Sequence, residues 1–242
     1  MAAGNVRHWL TVDVMAELTS SRFDFDRIAP RYDAWYRTPR GRMYDRLEKR
    51  AIDRLLPPPS SGGRLLEVGC GTGHWSEYFL QRGFEVKGVD VSESMVAIAR
   101  QREIAADFGV ADAMQLSFAD ESFNVAAAIT VLEFATDAPR VVSEMARCVR
   151  KKGGTLIVGS LNRLSAYNQS KQRQANSMYA SARLFSPSEM RDLLAPFGVP
   201  VMLVAGFVPQ TDRLVRLSPL LEWMGGLTGS ERGAFLAAKV TL

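Results

Sequence analysis

Leu65-Leu66-Glu67-Val68-Gly69-Cys70-Gly71-Thr72-Gly73-His74-Trp75 is the stretch on which the reading of this 242-residue chain turns. A short apolar run typical of a buried strand enters a turn with glycine at every second position, and a helical pattern starts at His74. Glycine permits the left-handed backbone of a tight turn and lets the main chain approach a ligand closely, beside a helix N-terminus that favours negative charge. A glycine-rich turn alone is a weak signal. Dinucleotide binders space their glycines G-x-G-x-x-G, and here the third comes one position early. The spacing therefore fits a ligand whose carboxylate end meets the turn better than it fits a pyrophosphate.

Outward from this turn the chain alternates. Runs with strand character are predicted at 64–68, 84–89, 108–111, 123–129, 155–159 and 199–208, with helical patterns at 74–81, 93–103, 138–149 and 187–195. A further helical spacing over 42–56 ends at the stiff turn Pro57-Pro58-Pro59. Such alternation implies right-handed crossovers and a mostly parallel sheet with helices on both faces. The tail departs from it: 199–240 reads as two strands joined by an insertion of about twenty residues, an antiparallel pair at one sheet edge. Residues 161–183 and 209–229 read as irregular, and loops of that length beside an open α/β sheet are candidates for a substrate cap.

Two acids follow the glycine turn. Asp90, in Gly88-Val89-Asp90-Val91-Ser92, ends the second strand, where a carboxylate can accept hydrogen bonds from both hydroxyls of a ribose. Asp112, in Ala111-Asp112-Ala113, ends the third, where an exocyclic amine can be held. A glycine turn, a ribose acceptor and an amine acceptor at three consecutive strand ends describe a nucleoside with an amino-acid tail.

Composition narrows the classes. The chain is 47% hydrophobic and 23% charged, which excludes collagen, coiled coil and a mostly disordered tail. Two cysteines (Cys70, Cys148) and two histidines (His8, His74) are too few for a disulfide framework, a cysteine-rich zinc site or a multi-histidine centre, so no metal is expected. The net charge of +4 is mild, and its arginines are interleaved with acids, as over 27–54, rather than gathered in the stripe expected of a nucleic-acid binder. Residues 1–10 lack the apolar run of a signal peptide, and eighteen consecutive apolar residues occur nowhere, so no integral membrane segment is expected and cytoplasmic residence follows by default.

With these motifs in register, the chain resembles the class I S-adenosylmethionine-dependent methyltransferases, in the small-molecule group labelled methyltransferase type 11. Glu67-x-Gly69-x-Gly71-x-Gly73 resembles the family's first motif, Asp90 its ribose-binding acid, and Asp112 with Ala113 its adenine-edge position. Thr130-Val131-Leu132 stands where the family contacts the methionine end, and the run from Glu144 to Gly154 resembles the helix and turn before its fifth strand, with Lys152 where proline is common. Upstream, Tyr32, Trp35 and Tyr36 fall in a segment similar to the family's N-terminal lid. The resemblance spans roughly residues 23–208.

The resemblance implies a Rossmann-like doubly wound α/β sheet of seven strands, in order 3-2-1-4-5-7-6 with the seventh antiparallel. It implies one methyltransferase domain: an N-terminal helical lid at 1–41, a cofactor-binding core at 42–208, and an edge insertion with the last strand at 209–242. It implies S-adenosylmethionine as the cofactor. The implied cofactor-binding set is Tyr32, Tyr36, Glu67, Gly69, Cys70, Gly71, Gly73, Asp90, Val91, Met95, Asp112, Ala113, Thr130 and Val131. The implied reaction is methyl transfer to a small organic acceptor by in-line displacement, with the acceptor atom and the oligomeric state left open.

An activated methyl donor needs alignment and exclusion of water more than a catalytic dyad. The weak candidates for a base are His74, behind the glycine turn, and Glu133, after the fourth strand. Glu133 reads equally as a solvated loop carboxylate, and Cys70 as a small filler. Trp223 and Met224 line a pocket, pack on the sheet edge or touch a membrane. Two other classes compete: a non-catalytic S-adenosylmethionine-binding sensor or scaffold, and a nucleotide-dependent oxidoreductase, against which the glycine spacing weighs.

Overall fold

Side-chain alternation along the strands determines how the layers of this protein stack. In the computed structural model, which describes residues 21–59, 63–175 and 177–242, the strands are β1 (Arg64–Val68), β2 (Glu85–Asp90), β3 (Asp107–Val110), β4 (Val125–Ile129), β5 (Thr155–Leu161), β6 (Val201–Ala205) and β7 (Phe235–Thr241). They form one sheet in the order β3-β2-β1-β4-β5-β7-β6. β7 runs antiparallel to both β5 and β6, and the remaining pairings are parallel. The order implied by the resemblance is the order found. β6 is the edge strand, and β7 lies inside it against β5.

Successive residues of a strand face opposite sides, so each strand feeds two cores. Leu66, Val68, Ala126, Ala128, Leu156 and Val158 face one side, where they meet Val141, Val142 and Met145 of α5 (Ala138–Cys148) and Met190 and Leu194 of α7 (Pro187–Leu194). Leu65, Val125, Ala127, Ile129 and Ile157 face the other. There they meet Ala51 and Ile52 of α2 (Pro39–Asp53) and Trp75, Tyr78 and Phe79 of α3 (His74–Gln81). α4 (Glu93–Arg100) lays Val96 and Ala99 against Phe108 at the β3 side. Strands buried on both faces need apolar residues at nearly every position, as β4 and β5 show.

Several boundaries move for local reasons. The predicted helix at 42–56 begins earlier, at Pro39, because the Thr38 hydroxyl caps it by accepting from Gly41 N–H and proline suits the first turn. The strand predicted over 123–129 starts at Val125, Phe123 making only an isolated bridge to Val149. The two segments read as irregular are largely helical. Residues 161–183 contain α6 (Ala166–Gln172) and a 3-10 turn, Met178–Ala180, while 209–229 contains a 3-10 turn, Asp212–Leu217, and α8 (Ser218–Thr228). Ahead of α2, two 3-10 turns (Phe25–Arg27, Ala29–Arg31) and a single turn α1 (Ala34–Arg37) run over the sheet's C-terminal edge. No described helix is long and apolar enough to cross a membrane. His8 and residues 1–10 lie outside the described residues.

Met145 is fully buried between α5 and the sheet. Met145→Ala should cost about 2–5 kcal/mol in urea unfolding, the range for a large-to-small change in a packed core. Val199→Ala, at a position 87% exposed, should stay within about 0.5 kcal/mol.

Candidate functional site

In a parallel sheet every strand carries its C-terminal end to the same edge, and here the order reverses between β1 and its neighbours β2 and β4. The turn after β1 sits at that reversal. Gly69, Gly71 and Gly73 have φ of 71°, 51° and 82°, a left-handed path that side-chain-bearing residues adopt at a cost. A methyl group at Gly69 would collide with the Val131 side chain, whereas one at Gly71 would meet nothing within 4 Å. The first glycine is thus forced by packing as well as by φ, and the second borders open space.

Four of the turn's amides are already engaged. Gly69 N–H and Cys70 N–H donate to the Val89 carbonyl (2.7 and 2.9 Å), and Gly73 N–H to the Cys70 carbonyl (2.9 Å). Gly71 N–H donates to Asp90 Oδ2 (2.8 Å), while Asp90 Oδ1 accepts from Ser92 N–H (2.9 Å). Burial pushes the Asp90 carboxyl up, against the pull of these two N–H groups. An ionised carboxylate offers about four lone-pair sites, so Asp90 keeps acceptor capacity toward the cleft.

The cleft above this turn, about 80 Å³, is walled by Gly69, Gly71, Asp90, Val91, Met95, Ala113, Thr130, Val131 and Tyr32. Nine residues of the set implied by sequence converge there. Five others do not reach the wall: Tyr36 lines a neighbouring space, its ring stacked on His74, and four lie behind the turn and the strand ends. Glu67 is buried in β1 and accepts from the Ser76 hydroxyl. Cys70 packs behind the turn against Val96, Ala99 and Phe108, where burial holds its thiol well above the ordinary range. Gly73 caps α3 and abuts Phe108, Arg102 and Ala99. Asp112 turns back to accept from Met114 N–H (2.8 Å), leaving Ala113 to line the cleft. Ser21, Phe25, Ile129, Phe134 and Ala135 complete the wall, none of them among the cofactor contacts expected from sequence.

Ser21 to Tyr36 is bound down over the cleft by contacts far apart in sequence. Arg22 donates from its N–H to the Phe134 carbonyl (2.6 Å) and from Nε to the Ala135 carbonyl (3.1 Å). Phe25 meets Phe23 and Phe134 edge-on, each at 5.0 Å. Ser92 Oγ donates to Asp26 (2.6 Å), and Thr72 Oγ1 donates to Asp33 (2.6 Å), which Arg102 also binds.

Next to the cleft lies a chamber of about 480 Å³. Eight aromatic side chains line it: Tyr32, Trp35, Tyr36, Tyr44, Trp75, Phe134, Tyr167 and Tyr179. Tyr32, Thr130 and Phe134 belong to both walls, so the two spaces meet there. Thr130, a β-branched residue, is held at φ 55°, a strained conformation of the kind that clusters at functional sites. Glu48 of α2 is the chamber's carboxylate, and burial, with the nearby Asp45 charge, pushes it up to about 8. Asn168 Oδ1 and the Tyr44 hydroxyl, both from chamber residues, have no hydrogen-bond partner among the described residues.

Neither weak candidate for a base lies in these walls. The His74 ring stacks on Tyr36 (3.8 Å), and its Nε2 sits 2.7 Å from Asp45 Oδ1 and 3.0 Å from Lys49 Nζ, so it joins α3 to α2. Glu133 lines neither space and is not a solvated loop carboxylate. It is fully buried, its Oε1 accepts from Leu161 N–H, and its carbonyl accepts from Arg183 N–H (2.8 Å). Burial pushes its carboxyl up to about 7.

Sheet order, glycine turn and strand-end acid define a Rossmann-like protein built for a nucleoside ligand. Residues 66–158 match the family model described as a methyltransferase domain. An uncharacterized protein of Methanocaldococcus jannaschii is 33% identical over 177 residues, 72% of this chain and 80% of that one. A Thermotoga maritima structure, an S-adenosylmethionine-dependent methyltransferase and possible histamine N-methyltransferase, superposes with a TM-score of 0.69 at 28% identity, covering 90% of this chain and 97% of that one. The malonyl-[acyl-carrier protein] O-methyltransferase of Pectobacterium atrosepticum is 35% identical over 131 residues, and the chain spans about half its length (52%). The chain belongs to the class I S-adenosylmethionine-dependent methyltransferases, and S-adenosylmethionine is its cofactor.

Glu48 and Glu67 at about 8 and Glu133 at about 7 all lie above the ordinary value of 4.5, so the folded state resists their ionisation. Their contribution to stability is full below about pH 4.5 and is lost as pH rises through about 8. Carboxylates held low, such as Asp45, Asp53 and Glu144, act in the acid range below that window. The melting temperature should therefore fall between about pH 5 and pH 8.5, and Glu67→Gln, which can still accept from Ser76, should flatten the fall. A parent profile that is level, or a variant that declines as steeply, would contradict the burial argument.

Proposed function

We propose that this protein transfers a methyl group to a small organic acceptor held in the aromatic chamber, with its cofactor in the adjoining cleft. The observation that carries the reading is the shared boundary: Tyr32, Thr130 and Phe134 wall both spaces, so two molecules seated in them would meet there. When bound, S-adenosylmethionine supplies a methyl already activated as a sulfonium, leaving the protein to align the acceptor, exclude water and dispose of a proton. A sensor or scaffold that only bound the cofactor would have no use for the second chamber.

Asp90 would hold the ribose hydroxyls, the open space beside Gly71 would admit the cofactor's amino-acid tail, and Ala113 would border its adenine edge. Gly69, Val91, Met95, Thr130 and Val131 supply the remaining wall, with Glu67, Cys70, Gly73 and Asp112 acting from behind it. In the chamber, Tyr44 and Asn168 offer unpaired polar atoms to the acceptor, since such groups cost free energy until partnered. Glu48, whose carboxyl titrates near the working range of a general base, would take the acceptor's proton. At about 80 Å³ the cleft is well below the roughly 300 Å³ at which ligand pockets begin. Ser21 to Tyr36 would therefore lift for entry and close afterwards, which is the role of the lid within the single domain. The unpaired thiols Cys70 and Cys148 support a reducing, cytoplasmic setting.

Calorimetry with adenosylhomocysteine tests the cofactor half of the reading. Loss of two hydrogen bonds to a charged acceptor, about 1.5–3 kcal/mol each, should weaken binding to Asp90→Ala at least tenfold. Glu133→Gln should bind within a few fold of the parent. If folded Asp90→Ala binds like the parent, the ribose is not at β2. A panel of acceptors tests the other half: Glu48→Gln should lower kcat by about 10²–10⁴-fold with unchanged adenosylhomocysteine affinity. A parent kcat that shows no rise with pH toward about 8 would remove Glu48 as the base.

A further inference from the structure

We propose that the face formed by Asp212–Leu217, α8 and the first half of α2 docks onto an anionic lipid surface. The first observation is that α8 is amphipathic the wrong way round. Leu214, Leu217, Leu220, Met224 and Leu227 recur at three- or four-residue intervals and, with Trp223, are all exposed, Trp223 at 62% and Leu227 at 67%. The side of α8 turned to the protein has Leu221 as a half-buried apolar residue among polar and small ones. Glu222 accepts from Gly206 N–H (3.0 Å) and Phe207 N–H (2.9 Å), Ser218 is fully buried, and Gly225 packs on the Phe207 ring. Contiguous apolar surface of this kind marks an interaction site rather than a scatter of exposed side chains.

The second observation names the partner. A surface groove beside this face gathers Arg42 and Arg46 of α2 with Arg213 and Arg216. All four are exposed, and among the described residues none is paired with a carboxylate. The groove's acid, Asp212, is taken by Arg40 at 2.7 Å. Four like charges without counter-charge beside an apolar helix match the two layers of a membrane surface, anionic headgroups and the acyl chains beneath them. A two-fold contact between copies through this face would set the arginine groove against itself. A nucleic acid would use the arginines and leave Trp223 and Leu227 in water.

The face also lies close to the proposed acceptor chamber. Tyr167 is common to the chamber wall and to a groove lined by Leu221, Met224 and Gly225 of α8. Arg40 stacks on Tyr167 (5.2 Å) and donates to the Pro209 and Gln210 carbonyls (2.7 Å each), mooring the segment to α2. An amphiphilic acceptor would thus have a short path from bilayer to chamber, although the docking itself stands without that reading.

Vesicle co-sedimentation of the full chain tests the proposal, with phosphatidylcholine alone against phosphatidylcholine containing phosphatidylglycerol. The expected result is binding to the anionic vesicles that weakens about tenfold or more on neutral ones, is released by salt, and blue-shifts tryptophan emission. The double variant Trp223→Ser/Leu227→Ser should lose the shift and most of the binding. Arg213→Glu/Arg216→Glu should lose the preference for anionic lipid. Both should keep the parent's circular dichroism and adenosylhomocysteine affinity, which separates failure of docking from failure of the fold or of the cofactor reading. Absence of vesicle binding, equal binding to both vesicle types, or a dimer in light scattering that Trp223→Ser dissociates would each overturn the proposal.

Discussion

The end of β2 holds the turn that follows β1, and the rest of the site depends on that grip. Val89 gives its carbonyl to two amides of the turn, and Asp90 gives a carboxylate oxygen to a third. The left-handed path through Gly69, Gly71 and Gly73 gives these amides their partners in β2, so without that strand they would be unpaired in a half-buried place. With them satisfied, the turn becomes a fixed wall, α3 starts where Gly73 ends it, and Val131 can close against Gly69 from the end of β4. Three strand ends are thereby locked into one surface, and its polar edge is the remaining face of Asp90.

That arrangement has a chemical consequence. Four of the turn's amides are taken up within the fold, so the turn contributes shape and close approach at those positions, while Asp90 supplies directed polarity beside it. The chamber works on different physics. Burial among its rings pushes the Glu48 carboxyl up, as burial in the core does for Glu67 and Glu133. Carboxyls buried without a cationic partner destabilise a fold when ionised. Glu67 and Glu133 secure hydrogen bonds from Ser76 and Leu161, whereas Glu48 faces the cavity, where a ligand can use it.

The N-terminal segment shows how much long-range pairing can rest on ordinary residues. Ser21, Arg22, Phe23 and Phe25 belong to no motif, yet they cross the cleft because Phe134 presents a ring and a carbonyl, and Ala135 and Thr136 two carbonyls more. Thr130, strained at the junction of the two spaces, is an ordinary threonine in the sequence. Backbone strain of this kind is imposed by neighbours and leaves no trace in composition.

Sequence by itself determined the layer architecture, because strand runs of alternating environment and helices of 3.6-residue period are local patterns that admit few packings. It also determined the glycine turn, Asp90 and, through motif register, the strand order and the cofactor, since those residues act within one β-turn-α unit or at its neighbour's end. Only the tertiary structure decided which members of the motif line the cleft. Glu67, Cys70, Gly73 and Asp112 carry the family pattern but support the wall from behind, a difference of side-chain direction that one-dimensional spacing cannot express. It alone put Glu48, rather than His74 or Glu133, in the chamber wall, because His74 is tied to Asp45 across helices and Glu133 is clamped by Leu161, both partners distant in the chain. It also turned α8 outward. An apolar helical stripe reads as core in a sequence, and whether it meets protein or not is settled by what else the fold brings beside it, here Glu222 and Gly225 on the inside and four arginines at the rim.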